Sequence, residues 1–403
     1  MRPDRDTRVK KLFVCLLVAV AVLPGMASAS TAKGSSAPTV WVMGNGQISP
    51  IRSSTRTLGS PINVDCGMAM TLGPNGNPWM ACGSSVSVID AKTGTVAARI
   101  ADPEEPDSIV FAHHDAYVLN RASPPSIWEI DPTRKKVIHE IAFTQNSDFG
   151  WSGLQYSPSL KMIYLESSEF ATAGWPTLDG VLLAFNPSTN RFGRLLDVPE
   201  MWNASLGGAP NMVIAPDGTM AAFVGSDYGK VATVGLRTYS VRLSPDLAPD
   251  LGAVQNVAFS PSSKNLYVTC YNGGVNENGF VEELALPGFK VEHRWAIAQE
   301  PEQLYVNRFA VFVLSVGPTI SSGGAINEGF TVINSSTHKI LLVKETGPAA
   351  NLQAGGVSLV FDPSGGLGWL ISRSTTVTPF EIRNGKLLAP IKIPYTPSAL
   401  AVG

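Results

Sequence analysis

Apolar and polar positions alternate along most of this chain in short runs, and the runs come in pairs. Ala258–Asn272 reads AFSPSSKNLYVTCYN: an apolar strand, a polar turn, and a second strand carrying Tyr267, Val268 and Thr269. A period of two marks strands, because successive side chains point to opposite faces. Pro, Ser, Asn and Asp mark the turn, because their side chains or fixed φ suit it. The same hairpin recurs at Met70–Cys82, Leu154–Leu165, Val213–Val224 and Val360–Ile371, with weaker copies over 108–119 and 304–314. A second kind of hairpin accompanies it, at Val86–Ile100, Ile127–Ile141, Val181–Val198, Phe330–Glu345 and Phe380–Ile393, with weaker copies over 48–64, 231–247 and 281–295.

Two hairpins make a four-stranded unit, and units begin near residues 66, 106, 150, 207, 253, 301, 354 and 396. This spacing predicts an all-β fold, a β-propeller of eight four-stranded blades. Seven blades is the alternative, should the weak repeat at 231–250 not be complete. The eighth unit is divided between the termini. Thr39–Met43 is a strand with no inner neighbour before it, and Ser398–Val402 is an inner strand with none after it. Together they predict a ring closed by both ends of the chain in one blade.

Asn265-Leu266-Tyr267-Val268-Thr269, followed elsewhere by hairpins such as Val86-Ser87-Val88-Ile89-Asp90 with Thr93 and Val96, resembles the YVTN-type β-propeller repeat family. The resemblance covers nearly all of residues 39–403. It implies the propeller fold and a place among secreted binding and surface proteins. A more distant resemblance is to the quinoprotein amine dehydrogenase heavy-chain propellers; it does not carry their redox chemistry.

The N-terminus reads differently. Arg2, Arg5, Arg8, Lys10 and Lys11 precede an apolar run, Leu12–Leu23, too short to span a bilayer comfortably, and Ala27-Ser28-Ala29 follows. Residues 1–29 are therefore expected to be a signal peptide, 30–38 a flexible leader, and 39–403 a single propeller domain. The expected location is secreted, extracellular or periplasmic and cell-envelope, with no membrane span after cleavage. The whole chain has 30 basic and 32 acidic residues. Removing five basic and two acidic ones with the leader leaves 25 and 30, a net charge of −5. With no dense basic tract, nucleic acid is not an expected partner.

Chemistry-bearing motifs are sparse. No C-x-x-C-H, H-E-x-x-H or G-x-S-x-G is present. Of the five histidines only His113 and His114 adjoin, and neighbours on a strand face opposite ways, so no metal set is expected. Asp90–Gly94 is a partial match to the tryptophan-docking repeat of quinone enzymes, but no tryptophan follows and no cofactor is expected. Asp65, Asp107, Asp148, Asp179, Glu277, Glu302 and Glu328 fall one per link, either as solvated turn residues or as carboxylates around a central channel.

Tight turns are predicted at one rim and variable links at the other. Three links are long: Ser167–Gly180, Asn272–Gly279 and Ser315–Gly329. Variable loops on a rigid scaffold are where recognition usually sits. The candidate rim residues are Trp151, Phe170, Trp175, Asp179, Trp202, Asn276 and Glu328, with the tryptophans open to a second role as packing anchors. The reading is a monomeric binding or scaffold module for a protein, glycan or small-molecule ligand; the alternative is a lyase- or lactonase-type enzyme at the same channel mouth. After the leader, three cysteines remain. Cys66 and Cys82 lie symmetrically about Pro74, which predicts that they face each other in a disulfide, with Cys270 free and buried.

Overall fold

In the computed structural model the strands form eight antiparallel sheets, and in seven of them four strands follow one another in chain order. The described residues are 38–403, excepting 65–68, 102–104, 122–123, 144–149, 169–179, 202–210, 226–228, 249–252, 272–278, 298–299, 317–326, 349–357 and 373–374. Blades 1 to 7 begin with the innermost strands Ala69–Leu72, Pro106–Ala112, Gly150–Ser157, Asn211–Ile214, Ala253–Phe259, Glu300–Val306 and Leu359–Phe361. The weak repeat is a full blade: Lys230–Gly235 pairs with Ser240–Leu243. The fold is thus a β-propeller of eight blades.

The eighth blade closes the ring as the split hairpin predicts. Ala399–Val402 is its innermost strand and pairs with Thr39–Gly44, Met43 opposite Ala399 and Val40 opposite Val402. The Tyr395 hydroxyl donates to the Val42 carbonyl at 2.7 Å, a further tie between the two ends of the chain. The outer edge of this blade is itself divided, Thr57–Leu58 and Ile62–Asn63 both pairing with Gln47–Arg52.

Burial explains why the ring must be complete. Strand Pro78–Cys82 is buried along its length. Its residues alternate between two clusters: Trp79 and Ala81 pack toward blade 2, Met80 and Cys82 toward blade 8. Among the described residues the apolar core is eight such clusters, one per interface between neighbouring blades, and none lies within a single blade. Outer strands such as Thr95–Ala101 are half-buried or exposed along most of their length.

The tight turn between third and outer strands is the same in every blade. Its last residue is left-handed: Arg56, Gly94, Lys135, Asn190, Tyr239, Phe289, His338 and Gly385 all have φ between 52° and 71°. At its first position Asp90, Asp131, Asn186 or Asn334 accepts backbone N–H groups through its side chain, as the turn chemistry predicts.

Candidate functional site

The tight turns occupy one rim. The strand ends flanking the three long links, Ser168 and Gly180, Tyr271 and Gly279, Val316 and Asn327, lie at the other, where the innermost strands also begin. Among the described residues, the innermost strand is irregular at that rim in four blades. Asp107, Gly153, Gln255 and Glu302 are each the residue skipped in the pairing with the second strand. A β-bulge of this kind leaves one residue unpaired and re-aims its side chain.

Three of the four bulges carry a polar side chain, and the fourth makes room for one. Arg121 Nη2 reaches Asp107 Oδ2 at 3.1 Å. Burial nonetheless raises the Asp107 carboxyl above the usual range, with the Arg121 charge opposing. Gln255 Nε2 donates to Glu300 Oε1 at 3.4 Å, joining blades 5 and 6. Glu302, half-buried on the same strand, is pushed up to about 7, first by desolvation and then by the Glu300 charge. Gly153 has φ +59°, and a Cβ there would stand 2.9 Å from Glu166 Oε1, so glycine leaves the space this carboxyl fills. Glu166 is buried near the rim end of Met162–Ser168, and its Oε2 makes no hydrogen bond. Burial lifts its pKa well above the ordinary value, although the Met212 N–H donates to it.

The innermost strands also exchange side-chain bonds across the interfaces. The Leu154 N–H donates to Ser108 Oγ at 3.0 Å, and the Ile214 N–H to Gln155 Oε1 at 3.0 Å. The Ser358 N–H donates to the Tyr305 hydroxyl at 3.2 Å. These strands are sheet edges, and side chains of the neighbouring blade satisfy backbone groups that would otherwise lack partners. The open-rim ends of the two inner strands therefore bear carboxyl groups on blades 2, 3 and 6, with Asp107, Glu166 and Glu302 raised in pKa. Such groups suit proton exchange or a cationic ligand, which would favour their charged form.

Of the rim residues the sequence singled out, Trp151 is placed otherwise. It is 2 % exposed and stacked on Phe143, ring centroids 5.3 Å apart, within the core between blades 2 and 3. This is the packing-anchor role, because its bulged strand turns the indole into the interface. Phe170, Trp175, Asp179, Trp202 and Asn276 lie outside the described residues. Glu328 sits at the open-rim end of blade 6's third strand, opposite Val316. Asp107 and Glu302 are among the acids that the sequence scatters one per link; Glu166, Glu300 and Gln255 are not. An acid ending an apolar strand, as in Tyr164-Leu165-Glu166, is the signal that could have found Glu166.

Cys270 is free and buried, as expected, and burial raises its thiol. The expected direct opposition of Cys66 and Cys82 needs correcting. The hairpin pairs Leu72 with Pro78 and Ala69 with Ala81, so it is centred on Asn75, not Pro74. This places the register of the described pairs two residues along from one centred on Pro74. Cys82 carries no free thiol. Cys66 lies outside the described residues, so the pairing with it stays a proposal.

No protein-family model and no curated protein matches this chain. Solved structures do. It is similar over 95% of its length to 78% of the dihydro-heme d1 dehydrogenase NirN, solved in complex with DHE, at TM-score 0.68 and 11% identity. It is similar to the computationally designed protein Ika8 (TM-score 0.57, 13% identity, 82% of this chain, 89% of that one). A protein of unknown function from Desulfotomaculum acetoxidans matches 90% of this chain with 98% of its own, at TM-score 0.50 and 12% identity. At these identities the likeness is one of fold.

Proposed function

We propose that this chain is a secreted propeller of the YVTN type that binds a ligand at the open rim and channel mouth. The observation that supports the reading is the set of inner-strand bulges. Four blades interrupt their pairing at the same rim, and at each of them a polar or ionisable group stands at the mouth. Bulges cost ladder hydrogen bonds, and they concentrate next to sites where a side chain must be re-aimed. A ligand with a cationic group suits the carboxyl-rich ring, and the long links supply further contacts. The N-terminal basic and apolar segment supports export.

The test is a binding screen with peptide and glycan arrays on three proteins: the native chain, a variant with residues 167–180 replaced by a short Gly-Ser link, and Asp107→Asn/Glu302→Gln. A ligand held by the native chain and lost by both variants, with neither variant melting below the native chain, supports the reading. Loop replacement itself is tolerable, since loop length contributes only about 0.6 kcal/mol per doubling. Binding that survives both changes refutes it, and unfolding of the loop variant shows the loop to be structural.

One observation favours a second reading. Glu302 titrates near neutral pH, where a general acid or base works best. An enzyme at this mouth would show lactone hydrolysis or elimination with a pH limb near 7 that disappears in Glu302→Gln.

A further inference from the structure

At the tight-turn rim, away from the mouth, the same polar construction occurs twice with one residue changed. In blade 2, Tyr117 pairs with Glu129 and Glu129 with His139 across three adjacent strands. The turn of blade 3, Asn186-Pro187-Ser188-Thr189-Asn190, brings Asn190 beside them. Glu129 is fully engaged: Tyr117 donates to Oε1 at 2.9 Å, and Asn190 Nδ2 and His139 Nδ1 each lie 2.6 Å from Oε2.

In blade 5, Tyr267 pairs with Glu283 and Glu283 with His293 in the same register, with the same irregularity directly after the glutamate. The turn of blade 6, Asn334-Ser335-Ser336-Thr337-His338, is built the same way, but it ends in histidine. The outcome differs. Tyr267 at 2.9 Å and Asn265 Nδ2 at 2.5 Å both donate to Glu283 Oε1. Glu283 Oε2 and His338 Nδ1 are buried and face each other at 3.3 Å without making a hydrogen bond. The His293 ring lies on the His338 ring, centroids 3.7 Å apart. One ligand atom from each of Glu283, His293 and His338 lies within 4.8 Å of the others.

We propose that Glu283, His293 and His338 form a binding site for a first-row transition-metal ion, zinc foremost, bridging blades 5 and 6. Two imidazole nitrogens and one carboxylate oxygen are a zinc donor set that leaves a fourth position for water. Ligands about 2.1 Å from a tetrahedral ion stand roughly 3.4 Å apart, which the Glu283–His338 separation matches. The surroundings hold the donors as outer-shell partners of metal ligands do. Two donors occupy Oε1 and leave Oε2 to the ion. Trp295 Nε1 donates to the His338 carbonyl at 2.8 Å, and the His338 N–H to the Asn334 carbonyl at 2.9 Å, which fixes the turn. His338 stands at φ 57°, where a non-glycine residue costs backbone energy. Each imidazole binds an ion in its own plane, so the two rings turn out of their stack on loading; both are only partly buried. In the sequence only His113 and His114 adjoin; His293 and His338 lie one blade apart and meet only when the blades pack.

The decisive variant is His338→Asn, which rebuilds the blade 2–3 arrangement that the chain already folds with Asn190 at φ 52°. Chelator-treated full chain is titrated with Zn²⁺ by calorimetry and with Co²⁺ by visible absorption. The expected result is one equivalent of Zn²⁺, a tetrahedral Co²⁺ spectrum, and affinity at least roughly 100-fold lower in His338→Asn and Glu283→Gln. The metal-free variants should melt like the metal-free native chain, and saturating Zn²⁺ should raise the melting temperature of the native chain alone. No saturable uptake of Zn²⁺ or Co²⁺, or equal uptake by His338→Asn, overturns the site and leaves an ordinary Glu283–His338 ion pair.

Discussion

Replacing Glu302 with glutamine should make the protein more stable at neutral pH and leave it unchanged in acid. The carboxyl sits at the bulge of blade 6's innermost strand, and its pKa rises from 4.5 to about 7 on folding. The raised value means that the native state holds a proton between pH 4.5 and about 7 which the unfolded chain has released. The unfolded state binds fewer protons there, so stability falls as pH rises through that window. Ionising the group in the folded protein costs about 3 kcal/mol at 1.36 kcal/mol per pKa unit. Partial exposure and relaxation of the site bring the expected figure to about 2–3 kcal/mol. Glutamine keeps the shape and never ionises. Denaturant unfolding of native chain and variant, followed by tryptophan fluorescence from pH 4.5 to 8, gives the difference at each pH. Glu166 and Asp107 titrate in both proteins, so the difference isolates Glu302. Coincidence below pH 5 and a gap in the variant's favour that opens toward pH 7.5 is the expected outcome. Parallel curves across the range, or a variant less stable at pH 7.5, would refute the account.

Deletion of residues 395–403 removes the innermost strand of blade 8 together with buried Leu400 and the Tyr395–Val42 bond. It should abolish cooperative unfolding, because two interfaces and a sheet edge open at once; an unchanged melting temperature contradicts the closure. Non-reducing peptide mapping should find Cys66 joined to Cys82, with Cys270 alkylated only after denaturation, since its thiol is buried between blades 4 and 5. A link that includes Cys270 contradicts it.

Much of this molecule is determined by local sequence. The short, nearly unbroken apolar runs in Pro78–Cys82 and Asn265–Tyr271 fix strands buried on both faces, and the Asx residues at 90, 131, 186 and 334 fix the turns, because both depend only on near neighbours. Repetition of these units requires a ring, since none buries its faces alone, and the half-blade at each end requires that ring to close on itself. The functional groups were legible only in part. Asp107 and Glu302 stood out as isolated acids, but a bulge is a mismatch between two strands, and neither strand records it by itself. Trp151 could be read as rim or anchor, and only the packing of blade 2 on blade 3 placed it in the core. Glu283, His293 and His338 come from three strands and turns of two blades. Their meeting is set by blade-to-blade geometry, which no local pattern contains.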